Sequence, residues 1–394
     1  ISACAYLGKM YYEGTGVAQN YNEAFKCFQK AADNGVTGAY TWLGVMYYDG
    51  QGVAQNYEKA FLWTKKAAEN GAADAYVGLG VMYCKGQGVA QNYGEAFQWF
   101  QKAVDNGDAV AYCWLVSMYY NGQGVSQNYG EAFKWTKKAA EKGIAAAYAG
   151  LGGMYYKGQG VAQNYNEAFK WTKKAAENGA ADAYVGLGVM YCKGQGVAKN
   201  SNEAFKWFQK AADNGVASAF AYLGDMYYAG DGVAQNYNEA LKWYQKAADN
   251  GITTGIYYFL ADMFYTGKTG ITDYSQAKKY AELAIKNDTL DIVGHRILAK
   301  LYMYGYAVEK NIDKAEALIE QALAHCKKNG SSDYPCNTMD VKGELFWVMG
   351  DKVKAKEIYD SINKNAPDFY TKIGETELSK YMKAYKEVDV DDDI

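Results

Sequence analysis

The side chains able to do covalent chemistry in this 394-residue chain are few and scattered. Its two histidines, His295 and His325, stand at no spacing from a serine, cysteine or carboxylate that would compose a nucleophile and its base. His325, Cys326 and Cys336 form at most a loose zinc-ligand trio, short of the four closely spaced ligands of a structural site. Seven cysteines at irregular spacing make no disulfide framework. Cys4, Cys27, Cys84 and Cys192 occupy places that other copies of the same phrase fill with Tyr or Trp, and Cys326 with Cys336 is the one candidate for a local bridge. Gly-Gln-Gly recurs, but without the G-x-G-x-x-G of a dinucleotide site or the lysine of a phosphate loop, so it reads as a turn. Asn287-Asp288-Thr289 is formally a glycosylation sequon. No catalytic residue, cofactor or metal is implied.

A binding chemistry is better represented. Four positions at helical spacing change from copy to copy of a repeated phrase while the rest stays fixed. The first carries Tyr6, Trp42, Trp114 and Tyr222, with Gly78, Gly150 and Gly186 elsewhere; the second carries Lys9, Val45, Ser117 and Asp225. The third is mostly tyrosine, with Tyr12, Tyr48, Tyr120, Tyr156 and Tyr228, and the fourth holds Asp49, Asn121, Lys157 and Lys193. Aromatic residues flanked by mixed charge are the composition of binding hot spots. The tyrosine column equally suits stacking between neighbouring units.

These positions are set by a 36-residue phrase in seven tandem copies, A-Y-x-x-L-G-x-M-Y-x-x-G-x-G-V-x-x-N-Y-x-E-A-F-x-W-x-x-K-A-A-x-N-G. A fixed period of this size marks a solenoid, whose units bury their apolar faces against neighbours. In one copy Ala39, Leu43, Met46 and Tyr47 lie on one face of a helix, called A, over about residues 38–49. Gly44 within that face costs roughly 1 kcal/mol against alanine, so it predicts close helix approach; Val116 takes its place in the fourth copy and predicts wider packing there. Gly50 and Gly52 allow the chain to reverse, and Val53 plugs the junction. Helix B begins at an Asn cap with Glu three residues on, as in Asn20 and Glu23, where the carboxylate is expected to reach back to the cap. The second copy has Lys59 at that place. Ala60, Trp63, Thr64 and Ala67 form the inner face of helix B, and Asn70-Gly71 stops it.

The expected organisation is seven regular repeats over 1–251, two divergent ones over 252–330, a helical cap over 331–388 and an acidic tail over 389–394. Within it, Lys65–Ala90 recurs unchanged as Lys173–Ala198, a sign of block duplication. Units past residue 253 are expected to cover the apolar end of the seventh repeat around Trp243 and Tyr244. A short helix with Leu378, Tyr381 and Tyr385 closes the chain. Because Ile1 aligns with Thr37, the chain is expected to be trimmed, so that further repeats or an export signal precede it. Net charge of −3 gives no steering toward nucleic acid or an anionic surface, and no apolar run is long enough to span a membrane.

The phrase A-x-x-x-L-G-x-x-Y-x-x-G-x-G-V, with its N-cap, A-x-x-W and K-A-A-x-x-G, resembles the Sel-1-like repeat, strongly over 1–251 and weakly to about 330. Residues 343–367 look more like a tetratricopeptide unit. The resemblance implies an all-α, right-handed α/α solenoid of antiparallel helix pairs, a superhelix whose A helices line the concave wall. It implies a non-enzymatic bacterial adaptor that holds a protein or peptide there, in the cytoplasm or, if a signal has been removed, exported. Two alternatives are a small-molecule-binding or hydrolytic relative of the penicillin-binding kind, and a structural protein that self-associates through its terminal repeats. The hydrolytic relatives carry a cysteine pair in each repeat, and this chain does not.

Overall fold

A computed structural model describes residues 2–288, 291–329, 334–373 and 376–382; Tyr385, Thr289, the acidic end and the Cys336 side chain fall outside them. Among the described residues every regular element is helical, with no strand. The helices follow one another as antiparallel pairs, the arrangement of an α/α solenoid. Two compact units divide the chain, Ile1–Lys199 and Asn200–Ile394.

Within the first unit the pattern is seen in Thr37–Asp49, then Tyr57–Glu69, then the next A helix at Asp74–Lys85. Leu43 and Met46 are wholly buried, as the spacing requires. Gly44 has the predicted reason. A Cβ there would lie 2.5 Å from Thr64 Oγ1, so only glycine lets helices A and B approach so closely. Val53 packs at the edge of the same core.

The two turn glycines do different jobs. Gly50 caps helix A in the left-handed region, at φ 73°. Gly52 is also left-handed, but a Cβ on it would sit 2.2 Å from the Tyr21 carbonyl oxygen of the preceding repeat. The second glycine therefore sets the approach between repeats as well as the reversal within one. Between them Gln51 accepts a hydrogen bond from the Tyr12 hydroxyl at 2.6 Å, so the turn is a docking element for the unit before it.

The Asn caps form as expected. Asn20 Oδ1 accepts from the Glu23 amide at 3.2 Å, and Asn56 caps the Lys59 amide at 2.9 Å, so that copy keeps its cap without the glutamate. Such a cap is worth about 1 kcal/mol. The glutamate does not take the expected return path. The Asn20 amide it would reach already donates to the Tyr11 carbonyl at 2.9 Å, and Glu23 pairs with Lys26 instead.

In the second unit the regular pairs continue to Tyr237–Asp249, and the next helix, Ile256–Thr266, places Phe259 flat on Tyr244 with ring centroids 5.0 Å apart. Tyr244 is fully buried beneath it. Further helices follow at Tyr274–Asn287, Ile292–Tyr304, Ile312–Asn329, Tyr334–Val348 and Lys352–Asn365. Leu378 and Met382 close the end by packing with Ala355.

Candidate partner-binding face

The A helix carries its variable residues opposite Leu43 and Met46. Tyr6 is 69% exposed on Ser2–Glu13, the first helix, and Lys9 beside it pairs with Glu13 at 3.6 Å. Val45, Asp49, Asn121, Lys157 and Lys193 are exposed, while Ser117 is half-buried and accepts from Asn121 Nδ2 at 3.1 Å. In the second unit Asp225 accepts from the Tyr244 hydroxyl at 2.8 Å. The charge along the first unit changes sign, from Asp49 to Lys157 and Lys193.

The tyrosine column is half-buried and ties units together. Tyr48 donates to Gln87 at 2.8 Å, Tyr120 to Gln159 at 3.1 Å and Tyr156 to Gln195 at 2.7 Å, each repeating the Tyr12–Gln51 bond. Burial first, then the Asp49 carboxylate, pushes the Tyr12 phenol above its usual range, which keeps it a donor. Each ring also meets the first tyrosine of its own helix B edge-on, as Tyr48 meets Tyr57 at 5.2 Å. Tyr228, in the second unit, lies instead by Asp262 and Lys268, with its hydroxyl 3.5 Å from the carboxylate.

The large rings are steps of a stack, Trp42 and Trp114 half-buried and Tyr222 exposed. Trp42 lies parallel to Phe28 at 5.4 Å and leans on Tyr12 at 4.7 Å. Trp114 lies parallel to Phe100 at 5.1 Å, and Tyr222 parallel to Phe208 at 4.5 Å. One flank of each ring is thus covered by helix B of the repeat before, and the rest faces outward.

This stacking exposes a coupling that columns read singly do not show. Where helix B carries an aromatic ring, the A helix after it carries one too: Phe28 with Trp42, Phe100 with Trp114, Phe208 with Tyr222, Tyr244 with Phe259. Where helix B carries threonine, the following A helix carries glycine: Thr64 with Gly78, Thr136 with Gly150, Thr172 with Gly186. The signal was in the sequence, at a separation of 14 residues across the repeat boundary in every pair but Tyr244 with Phe259, which are 15 apart.

Among the described residues no group of His, Cys, Asp and Glu is placed to hold a metal ion, and no helix is long and apolar enough to cross a membrane. The geometry offers surface, rings and charge.

Comparison with known proteins gives the surface its context. The Sel1 repeat model matches residues 1–36, 37–71, 73–108, 109–144, 145–179, 181–216, 217–252, 257–288 and 293–325. Among solved structures, a Sel1 repeat protein from Oxalobacter formigenes is 31% identical, over 62% of this chain and 96% of its own, with a TM-score of 0.54. A protective antigen present in uropathogenic Escherichia coli strains, displaying an SLR fold, is 24% identical over 97% of this chain and 94% of its own, with a TM-score of 0.69. That likeness concerns the fold. No curated protein matches the chain.

Proposed function

The chain belongs to the Sel1 repeat family, whose members and tetratricopeptide-like relatives generally mediate protein–protein interaction, and from that premise we propose that it is a binding protein. Its A-helix face takes a protein or peptide partner, and its role is adaptor rather than catalyst. One observation carries this reading. The outward side of helix A changes from repeat to repeat, while the buried Leu, Met and Ala positions and the turns are held nearly constant. Stacking on helix B accounts for where the Trp and Gly fall, but a scaffold that only had to stack would have no need of Val, Asp and Lys in rotation beside them. Half-exposed indoles seated on a ring, with charges beside them, have the makeup of interface anchors.

Charge reversal at exposed positions tests the reading without touching the core. Asp49→Lys with Lys157→Glu and Lys193→Glu should release a partner that the intact chain retains from an extract of the source cells. Lys170→Glu, on an exposed side of helix B, should retain it. Partners retained equally by both variants would move the binding surface off the A helices. Circular dichroism identical to the parent would show that the fold is kept.

A further inference from the structure

Two cavities open on the A-helix face of the first unit, at junctions that lack the ring pair. One, of 280 Å³, lies at Thr64 and Gly78; the other, of 320 Å³, lies at Thr172 and Gly186. Equivalent residues line both: Tyr48 and Tyr156, Asp74 and Asp182, Met82 and Met190. At the neighbouring junctions the same place is filled by Trp42 on Phe28, and by Trp114 on Phe100. Each cavity is thus a seat from which this chain has withdrawn two rings that it uses elsewhere.

The third ringless junction differs. Beside Thr136 and Gly150, Val116 stands where the cavities have Gly44 and Gly152, and Ala146 where they have the aspartates. A Cβ at Gly44 or Gly152 would come 2.5 Å from the threonine Oγ1, so a valine there takes space that the cavities leave open. Glycine, threonine and aspartate together occur at two junctions of the first unit, and both lie in the duplicated block and the repeat before it.

We propose that each cavity receives an aromatic side chain of a partner peptide, with a basic residue next to that ring in the peptide. This rests on the A-helix face being the binding surface. The chain's own rings show what the seat fits. The walls are Ala75, Val81 and Met82, or Ala183, Val189 and Met190, and a thioether against a ring is a favourable contact. The hydroxyls of Tyr48 and Tyr156 are already committed to Gln87 and Gln195, so those tyrosines offer ring surface. Charge fixes the neighbour: Asp74 and Asp182 are exposed at the two cavities, and neither lining contains a lysine or arginine. An aromatic residue beside Lys or Arg is complementary to this mouth, and one beside Glu is repelled. Two similar seats in one unit, of which only the first also has Asp49 in its lining, suit a partner with two such residues, which gains from the second contact by raised effective concentration.

The test uses three synthetic probes, acetyl-Lys-Trp-Lys-amide, acetyl-Lys-Ala-Lys-amide and acetyl-Glu-Trp-Glu-amide. Binding is followed on the full chain by the methyl resonances of labelled Met82 and Met190. The first probe should shift both signals saturably, with the alanine probe at least about tenfold weaker and the acidic probe several-fold weaker. The variant Thr64→Phe/Gly78→Trp/Thr172→Phe/Gly186→Trp restores the ring pairs and should abolish the shifts. Asp74→Lys/Asp182→Lys, at exposed positions, should reverse the preference between basic and acidic probes, and serves if the ring-filled variant does not fold. Equal affinity for the Trp and Ala probes, shifts that persist in the filled variant, or no saturable shift would overturn the proposal. If the partner released by the Asp49, Lys157 and Lys193 reversals stays bound to the ring-filled variant, the cavities are not its seat and the face remains its surface.

Discussion

The regular repeats of the first unit and the last helices of the second solve the same stacking problem with opposite chemistry. In the first unit, neighbours meet through apolar rings, a glycine pressed on a carbonyl, and neutral Tyr–Gln bonds. Near the C-terminus they meet through buried charge. Glu344 is fully buried, receives the Tyr304 hydroxyl on one oxygen and pairs through the other with Lys300 at 2.8 Å. Asp340, also buried, accepts from Tyr370 at 3.0 Å and from Thr376 at 2.9 Å. Neutral, repeated contacts let any unit follow almost any other. A one-off network of charges accepts a single partner segment, because each group left unmatched costs its full desolvation. The difference teaches how a repeat array ends: by an interface that cannot be continued.

The contrast can be broken at four points. Glu344→Ala should have the largest effect, about 3–5 kcal/mol, because it opens a fully buried site and leaves half-buried Lys300 and Tyr304 without their partner. Hydrogen exchange should quicken in Tyr334–Val348 and Lys352–Asn365 and stay unchanged in the first unit; equal loss in both units would erase the distinction. Leu43→Ala, at a fully buried site of the regular array, should cost about 2–5 kcal/mol in denaturant melts. Its effect should spread to both neighbouring repeats, as nearest-neighbour coupling requires.

Tyr48→Phe removes one neutral bond to Gln87 and should cost only about 1 kcal/mol. A loss as large as that of Glu344→Ala would show that the column matters more than its geometry implies.

The last effect concerns pH. Burial pushes the Asp340 carboxyl up to about 6, against the opposing influence of Thr376, Tyr370 and Lys300, with Glu344 adding to the rise. An unfolded aspartate titrates near about 3.9, so between these values the folded chain holds more protons. The contribution is therefore present in full below about 4 and is lost as pH rises through about 6. Unfolding of the C-terminal helices, followed at Trp347 fluorescence, should need less denaturant at pH 7 than at pH 5. Asp340→Asn should flatten that difference.

Much of the fold was legible because each rule it follows is local. Helix periodicity, the Asn caps and the αL glycine at Gly50 all act within a few residues, so the phrase displays them. What stayed hidden acts across unit boundaries. Gly52 reads as a second turn glycine until the Tyr21 carbonyl is found against it. The glutamate of the capping phrase reads as a partner of the cap amide until the Tyr11 carbonyl is found there first. Trp42 reads as a free groove ring until Phe28 is found beneath it. The outward face itself was visible, since its residues vary where the scaffold does not, and only the cavities needed coordinates. The C-terminal network was illegible for another reason: Lys300, Asp340 and Glu344 have no periodic equivalents, so nothing in the phrase marks them as buried.

The ring coupling has a consequence for how such chains grow. Phe28 belongs to one repeat and Trp42 to the next, as do Thr64 and Gly78. Recombination at the boundary between repeats would set threonine beneath tryptophan, or phenylalanine against a glycine gap. A crossover in the Gly-x-Gly turn keeps helix B with the A helix that follows it, and so keeps every matched pair intact. The heritable module is then offset by half a unit from the structural one, running from one turn to the next. Lys65–Ala90, which recurs unchanged as Lys173–Ala198, begins within helix B just after Thr64, crosses the boundary between repeats and stops just past the next turn. Arrays lengthened by design should be spliced there.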